Sequence, residues 1–165
     1  NCVVWGIYGF LINAFPVYGP NLTGALIGFI CTLIYQRYSL NKDYTLFGLG
    51  GIIIFISLYA TYLGYPSAVG AIGSCLSVAV MGSPLSVVTT VITERSTSAM
   101  PFYTSFLMWI SSLSWTLYGY TKLNDPLVYV PNILGLILSS IQMLLFVIYG
   151  LPNNNIKRGG ATLPY

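Results

Sequence analysis

The chain has 165 residues, 56% of them hydrophobic and only 5% charged. A soluble domain carries about 25% charged residues, so this chain cannot cover itself with a solvated surface and reads as an all-α integral membrane protein, with the lipid bilayer as its first partner. Its net charge of +3, from six basic and three acidic residues, is too small and too scattered for a nucleic-acid surface.

In chain order, six apolar segments stand out, at roughly 1–15, 21–36, 44–64, 67–92, 102–120 and 126–150. Gly and Pro recur inside them, as helices in lipid tolerate, whereas a β-barrel would show short alternating segments. The first segment is short for ~30 Å of hydrocarbon at ~1.5 Å per residue. The chain also opens on Asn1, with no basic stretch before an apolar run, so no signal peptide is read. Its start reads as a cut, with part of the first segment's helix missing. Cys2, Cys31 and Cys75 stand far apart within apolar runs, fit neither a metal site nor a disulfide framework, and read as small packing residues. With no His in the chain, no metal and no cofactor is expected.

Charges flank the segments. Arg37, Lys42 and Asp43 follow the second, Glu94 and Arg95 follow the fourth, and Lys157 and Arg158 lie in the polar tail 151–165. If every segment crosses, these share one side and the other side holds only Lys122 and Asp125. Five basic residues against one place the first side, tail included, in the cytoplasm.

One passage is written twice. "VWGIYGFLINAFPVYGPNLTG" aligns with "SWTLYGYTKLNDPLVYVPNILG": Trp5 pairs with Trp115, Tyr8 with Tyr118, Gly9 with Gly119 and Pro16 with Pro126. After one extra residue in the second copy, Pro20, Asn21 and Gly24 pair with Pro131, Asn132 and Gly135. The expected organisation is a truncated first repeat at 1–38, a linker helix at 44–64 and a second repeat at 67–150. An intact chain would have one further helix at its start, giving two three-helix bundles and a linker, seven helices in all, of which about six are covered. An odd linker makes the repeats parallel, and transporters place substrates between such repeats.

With these residues assembled, the sequence resembles the SWEET sugar transporters, the MtN3/saliva family. The resemblance is strongest in "GSPLSVVTTVITERSTSAMPFYTSFLMWISSLSWTLYG" and "VPNILG", and shows again in "NCVVWGIYG" and "GPNLTG". It implies seven helices, a sugar substrate and the plasma membrane.

An Asn amide offers two donors and an acceptor oxygen, which suits a hydroxyl that both gives and takes a hydrogen bond. A Trp offers a flat face to C–H groups and one N–H donor. The resemblance implies that Asn21, Asn132, Trp5 and Trp115 line a sugar pocket, with Ser77, Val80 and Ser111 at further pocket positions. Against this stand interhelical hydrogen bonding for the Asn pair, a glycosylation sequon for Asn21 in "NLT", and an interfacial belt for the Trp pair. The resemblance also implies hinges at Pro84 and Pro101, a cytoplasmic constriction at Met100 and Tyr103, and an outer gate pairing Tyr8 with Asp125. In plain terms Asp125 is also a loop Asp before a Pro, and the first copy has Phe15 at its position.

No Asp, Glu, Lys, Arg or His falls within the six segments, and proton-coupled carriers place such a group in the membrane. The expectation is therefore a uniporter, a bidirectional facilitative carrier of mono- or disaccharide working by alternating access. A proton-coupled PQ-loop carrier shares the architecture, but its Pro-Gln pair is absent, since Gln36 and Gln142 follow Tyr and Ile. A scaffold or receptor subunit is the remaining alternative. An enzyme would need a nucleophile–base pair or metal ligands, and neither is present in the sequence. A homo-oligomer is compatible with these observations but not required by them.

Overall fold

In the computed structural model, which describes residues 1–39 and 44–151, every regular element is helical. Helix α1 spans Cys2–Leu11, α2 Phe15–Tyr38, α3 Thr45–Tyr62, α4 Pro66–Val80, α5 Gly82–Glu94, α6 Phe102–Tyr118 and α7 Pro126–Tyr149. A 3-10 turn, Thr97–Ala99, precedes α6, and a π-helical turn, Gly119–Leu123, follows it. Three stretches are long and apolar enough to cross a membrane: α2, the run Pro66–Glu94 and α7. The expected tail beyond Leu151, together with Lys42 and Asp43, lies outside the described residues.

The second segment starts earlier than expected, at Phe15 instead of 21, and runs on to Tyr38. Pro16 occupies the first turn, where its missing N–H is no loss and its fixed φ suits a helix. Pro20 lies within the helix and removes one backbone bond. Arg37 consequently sits in the last turn of α2 and Glu94 ends α5, so the charges reach the helix ends while the middles stay uncharged.

The fourth segment is broken at Met81. Pro84 has no N–H to offer the carbonyl of Val80, so the ladder lapses one turn before the proline. Met81 N–H turns back to Val78 O at 3.1 Å, and the ladder resumes with Leu85 N–H on Met81 O at 3.1 Å.

The chain packs into two compact units, Asn1–Ser77 and a second beginning at Val78. In the first, α1 packs on α2 and buries Val4, Trp5, Tyr8 and Val17. α2 buries little else and presents most of its length outward. In the second, α6 packs along α7, while α5 and the turn after it join Val88, Val91 and Met100 to Leu138, Leu145 and Phe146. The ring of Phe102 meets that of Phe146 edge to face at 5.2 Å. Trp109 on α6 donates its indole N–H to Ser140 Oγ on α7 at 2.9 Å. Lipid gives no hydrophobic drive between helices, so such close packing and hydrogen bonding hold the unit together.

Candidate functional site: two amide–indole constellations

The doubled passage folds twice into nearly one form. In the first copy α1 ends in a Schellman motif: Asn13 takes φ 56°, Ala14 N–H reaches Gly9 O at 2.8 Å, and Asn13 N–H reaches Phe10 O at 3.1 Å. Asn is one of the few residues other than Gly that enter this left-handed region readily. In the second copy Asn124 takes φ 49°, and Asp125 N–H reaches Gly119 O at 3.0 Å. The second turn is one residue longer, and the π-helical Gly119–Leu123 absorbs the extra residue.

This moves the insertion from where the sequence alignment placed it. The left-handed Asn13 and Asn124 correspond, as do the helix-capping Ala14 and Asp125 and the first helical residues Phe15 and Pro126. Pro126 is therefore matched by Phe15 and not by Pro16, and Asp125 by Ala14 and not by Phe15. A proline fits either of the first two helical positions, so matching by residue type alone cannot tell them apart.

Past the turn the copies coincide. Asn21 and Asn132 are each the seventh residue of their helix, counted from Phe15 and Pro126, and each follows a proline inside it. Asn21 Nδ2 donates to Val17 O at 2.8 Å, and Asn132 Nδ2 donates to Val128 O at 2.7 Å. One N–H of each amide is thus fixed to the backbone four residues back. That orients the group and leaves one N–H and the carbonyl oxygen for a ligand. Both side chains are half-buried.

Each Trp stands three residues before a Tyr that meets it edge to face: Trp5 and Tyr8 at 5.7 Å, Trp115 and Tyr118 at 5.9 Å. Trp5 is 8% exposed and Tyr8 4%. The indole N–H of Trp5 donates to Ser77 Oγ at 2.9 Å, which joins two of the expected pocket residues across α1 and α4. The ring lies against Gly73, where a Cβ would come within 3.1 Å of it. Sequence reading missed Gly73, because a glycine among many in an apolar run carries no sign that a ring rests on it. Trp115 is half-buried on α6, one turn beyond the exposed Ser111, and Val80, 62% exposed, ends α4.

The remaining expected residues fall at helix ends and joints. Asp125 Oδ1 accepts from Leu127 N–H at 3.0 Å and caps α7, the ordinary work of an Asp before a helix. Pro84 is the third residue of α5, just past the break. Pro101 precedes α6 as its N-cap and is not within a helix, so it interrupts no helical ladder. Met100 is 1% exposed in the core of the second unit, and Tyr103 is 79% exposed.

A sequence profile described as "Sugar efflux transporter for intercellular exchange" matches residues 67–154. Among curated proteins, the bidirectional sugar transporter N3 of Medicago truncatula is 32% identical over 162 residues, covering 90% of this chain and 59% of its own length. Bidirectional sugar transporter SWEET1a of Sorghum bicolor is 30% identical, with 90% and 60% covered. Over a shorter stretch of 81 residues, SWEET11 of Arabidopsis thaliana reaches 44%, covering 49% of this chain and 28% of its own length. The chain thus spans about 60% of the relatives that match it along most of its length. A solved structure of a eukaryotic SWEET transporter superposes with a TM-score of 0.78 at 27% identity, covering 90% of this chain and 74% of that one.

Proposed function

Since the chain belongs to the SWEET family of sugar transporters, multi-pass membrane proteins and not enzymes, we propose that it works as a bidirectional facilitative sugar carrier, a uniporter cycling by alternating access. The observation that carries this reading is the repeated, backbone-tethered amide of Asn21 and Asn132, each preceded by a helix that bears a tryptophan. A tethered amide presents a donor and an acceptor without first losing side-chain freedom, and an indole face suits the C–H surface of a sugar ring. In this reading Asn21, Asn132, Trp5 and Trp115 hold the sugar, and Ser77, Val80 and Ser111 shape the space around it. Tyr8 and Asp125 act at the outer gate, Met100 and Tyr103 at the cytoplasmic constriction, and the break before Pro84 and the N-cap Pro101 of α6 are the hinges. The passages 1–38 and 67–150 act as two copies of one unit, with 44–64 as the linker. The carrier sits in the plasma membrane with its tail in the cytoplasm, in keeping with the five-to-one distribution of basic residues.

Uniport also accords with the lack of charge in the helix middles. A neutral sugar moved alone feels none of the roughly 2.3 kcal/mol per charge that 100 mV supplies. Radiolabelled sugar in proteoliposomes should equilibrate across the membrane and stop at equal concentrations, with or without an imposed pH gradient or voltage. Accumulation above the external concentration under an inward proton gradient would replace uniport by proton coupling. Absence of uptake altogether would favour a scaffold.

A further inference from the structure

Gln142 on α7 is 3% exposed, yet it belongs to neither amide–indole constellation. Its Nε2 donates to the carbonyl of Pro84 on α5 at 3.4 Å, and its buried Oε1 has no hydrogen-bond partner among the described residues. An amide with one end unpaired is a poor choice for a core on packing grounds. A leucine of similar size would leave no polar atom unsatisfied. Some other demand must account for a glutamine at this position, and its partner shows which.

Pro84 stands just past the break that separates α4 from α5. There the run Pro66–Glu94 lacks the backbone bond the proline cannot make, and Gly82 beside it has open space where a side chain would stand. By contrast α5 is tied to α7 along its whole length. Gln142 holds its first turn, and Val88 and Val91 pack in one core with Leu138, Leu145 and Phe146. Just past its last turn, Thr97 Oγ1 donates to Gly150 O at 2.8 Å. The joint is therefore weak on its α4 side and braced on its α5 side.

We propose that Gln142 is a positioning residue of the transport cycle: its amide clasps the first turn of α5 to α7, confining the bend to Met81–Gly82 so that α5 travels with α7. The proposal rests on the transport reading above. Gln142 touches the hinge and not the sugar. At 3.4 Å its contact with Pro84 lies beyond the usual range of about 2.7–3.2 Å for N–H···O bonds, a weak tie that holds the joint without locking it. Losing the clasp spreads the bend into α5 and alters how fast the two arrangements exchange, while the groups that meet the sugar stay in place.

The test compares wild type, Gln142→Leu and Gln142→Met in proteoliposomes, with initial sugar uptake measured over a range of concentrations. If the wild type carries no sugar, the transport reading itself fails, whatever Gln142 does. With an active wild type, both variants should change the maximal rate by about threefold to tenfold, the span of one neutral hydrogen bond, and leave half-saturation within about twofold. Both should also unfold at or above the wild-type temperature in detergent, because each removes the unpaired oxygen. An unchanged maximal rate, a shift confined to half-saturation, or variants that unfold earlier or fail to fold would each overturn the clasp. The last of these would make Gln142 a structural residue.

Discussion

The passages around Asn21 and Asn132 fold alike at the amide and differently at the turn that leads to it. In the first, α1 closes on α2 through a Schellman turn, and α2 starts on Ala14 with no side-chain cap. In the second, a π-helical turn adds one residue and Asp125 caps α7. A single inserted residue within a regular helix would rotate everything after it by about 100°. Placed in a π turn ahead of the helix start, it leaves Asn132 and Gly135 on the faces that Asn21 and Gly24 occupy. The part of the repeat that carries the two tethered amides is thus kept while the connection is free to vary.

The comparison breaks most sharply at the glycines where each pair of helices meets. A Cβ on Gly9 would lie 2.7 Å from Tyr18 N, a backbone atom, and 2.8 Å from Val17 Cγ1. On Gly119 it would lie 3.0 Å from Val128 Cγ1 and 3.1 Å from Tyr129 N. Gly9→Ala must push α2 away bodily and should destabilise by about 3 kcal/mol, against about 1 kcal/mol for Gly119→Ala. Thermal unfolding of the two variants in detergent checks the order, and equal losses would show that the two contacts are equally tight.

Next come the amides. Asn21→Ala and Asn132→Ala should each lower sugar uptake about tenfold or more without loss of membrane insertion, since each removes a preset donor and acceptor. Uptake is read in proteoliposomes, with insertion followed by extraction. A variant with normal uptake would assign that Asn to interhelical hydrogen bonding and end the symmetry of the pair.

The caps should give a smaller difference. Asp125→Ala makes the second copy resemble the first and should lower the unfolding free energy by about 1 kcal/mol. A much larger loss, or a loss of uptake at unchanged stability, would show that this carboxylate serves the gate beyond its cap. The smallest effect is expected from deleting Thr121, which shortens the π turn toward the Schellman form of the first copy. Stability should change by less than about 1 kcal/mol, as with other alterations away from the core. A collapse of folding would mean that the extra residue is required.

Much of this was legible in the residues themselves. Apolar runs gave the helices, and the recurrence of Trp, Tyr-Gly and Pro-Asn pointed to the two passages that fold alike and to the family. The start of α2 was misplaced because Pro16 and Pro20 read as loop, although prolines suit a helix's first turn and lipid-spanning helices tolerate them further in. The break at Met81 was hidden because a missing bond falls one turn before the proline that causes it. The position of Met100 in a core, the Trp5 bond to Ser77 and the bond of Gln142 to Pro84 depend on which helices meet. Tertiary contacts of that kind leave no trace in periodicity.

The seat of Trp5 has an optical consequence. Its indole is enclosed, hydrogen-bonded to Ser77 and laid against Gly73, whereas Trp109 and Trp115 are only partly enclosed. Indole emission responds to the polarity around the ring and to the state of its N–H. Replacing Trp109 alone by Phe leaves as indoles only Trp5, hydrogen-bonded to Ser77, and Trp115, the two tryptophans proposed to meet the sugar. Their emission would report the arrival of sugar in real time, with no label attached to carrier or ligand.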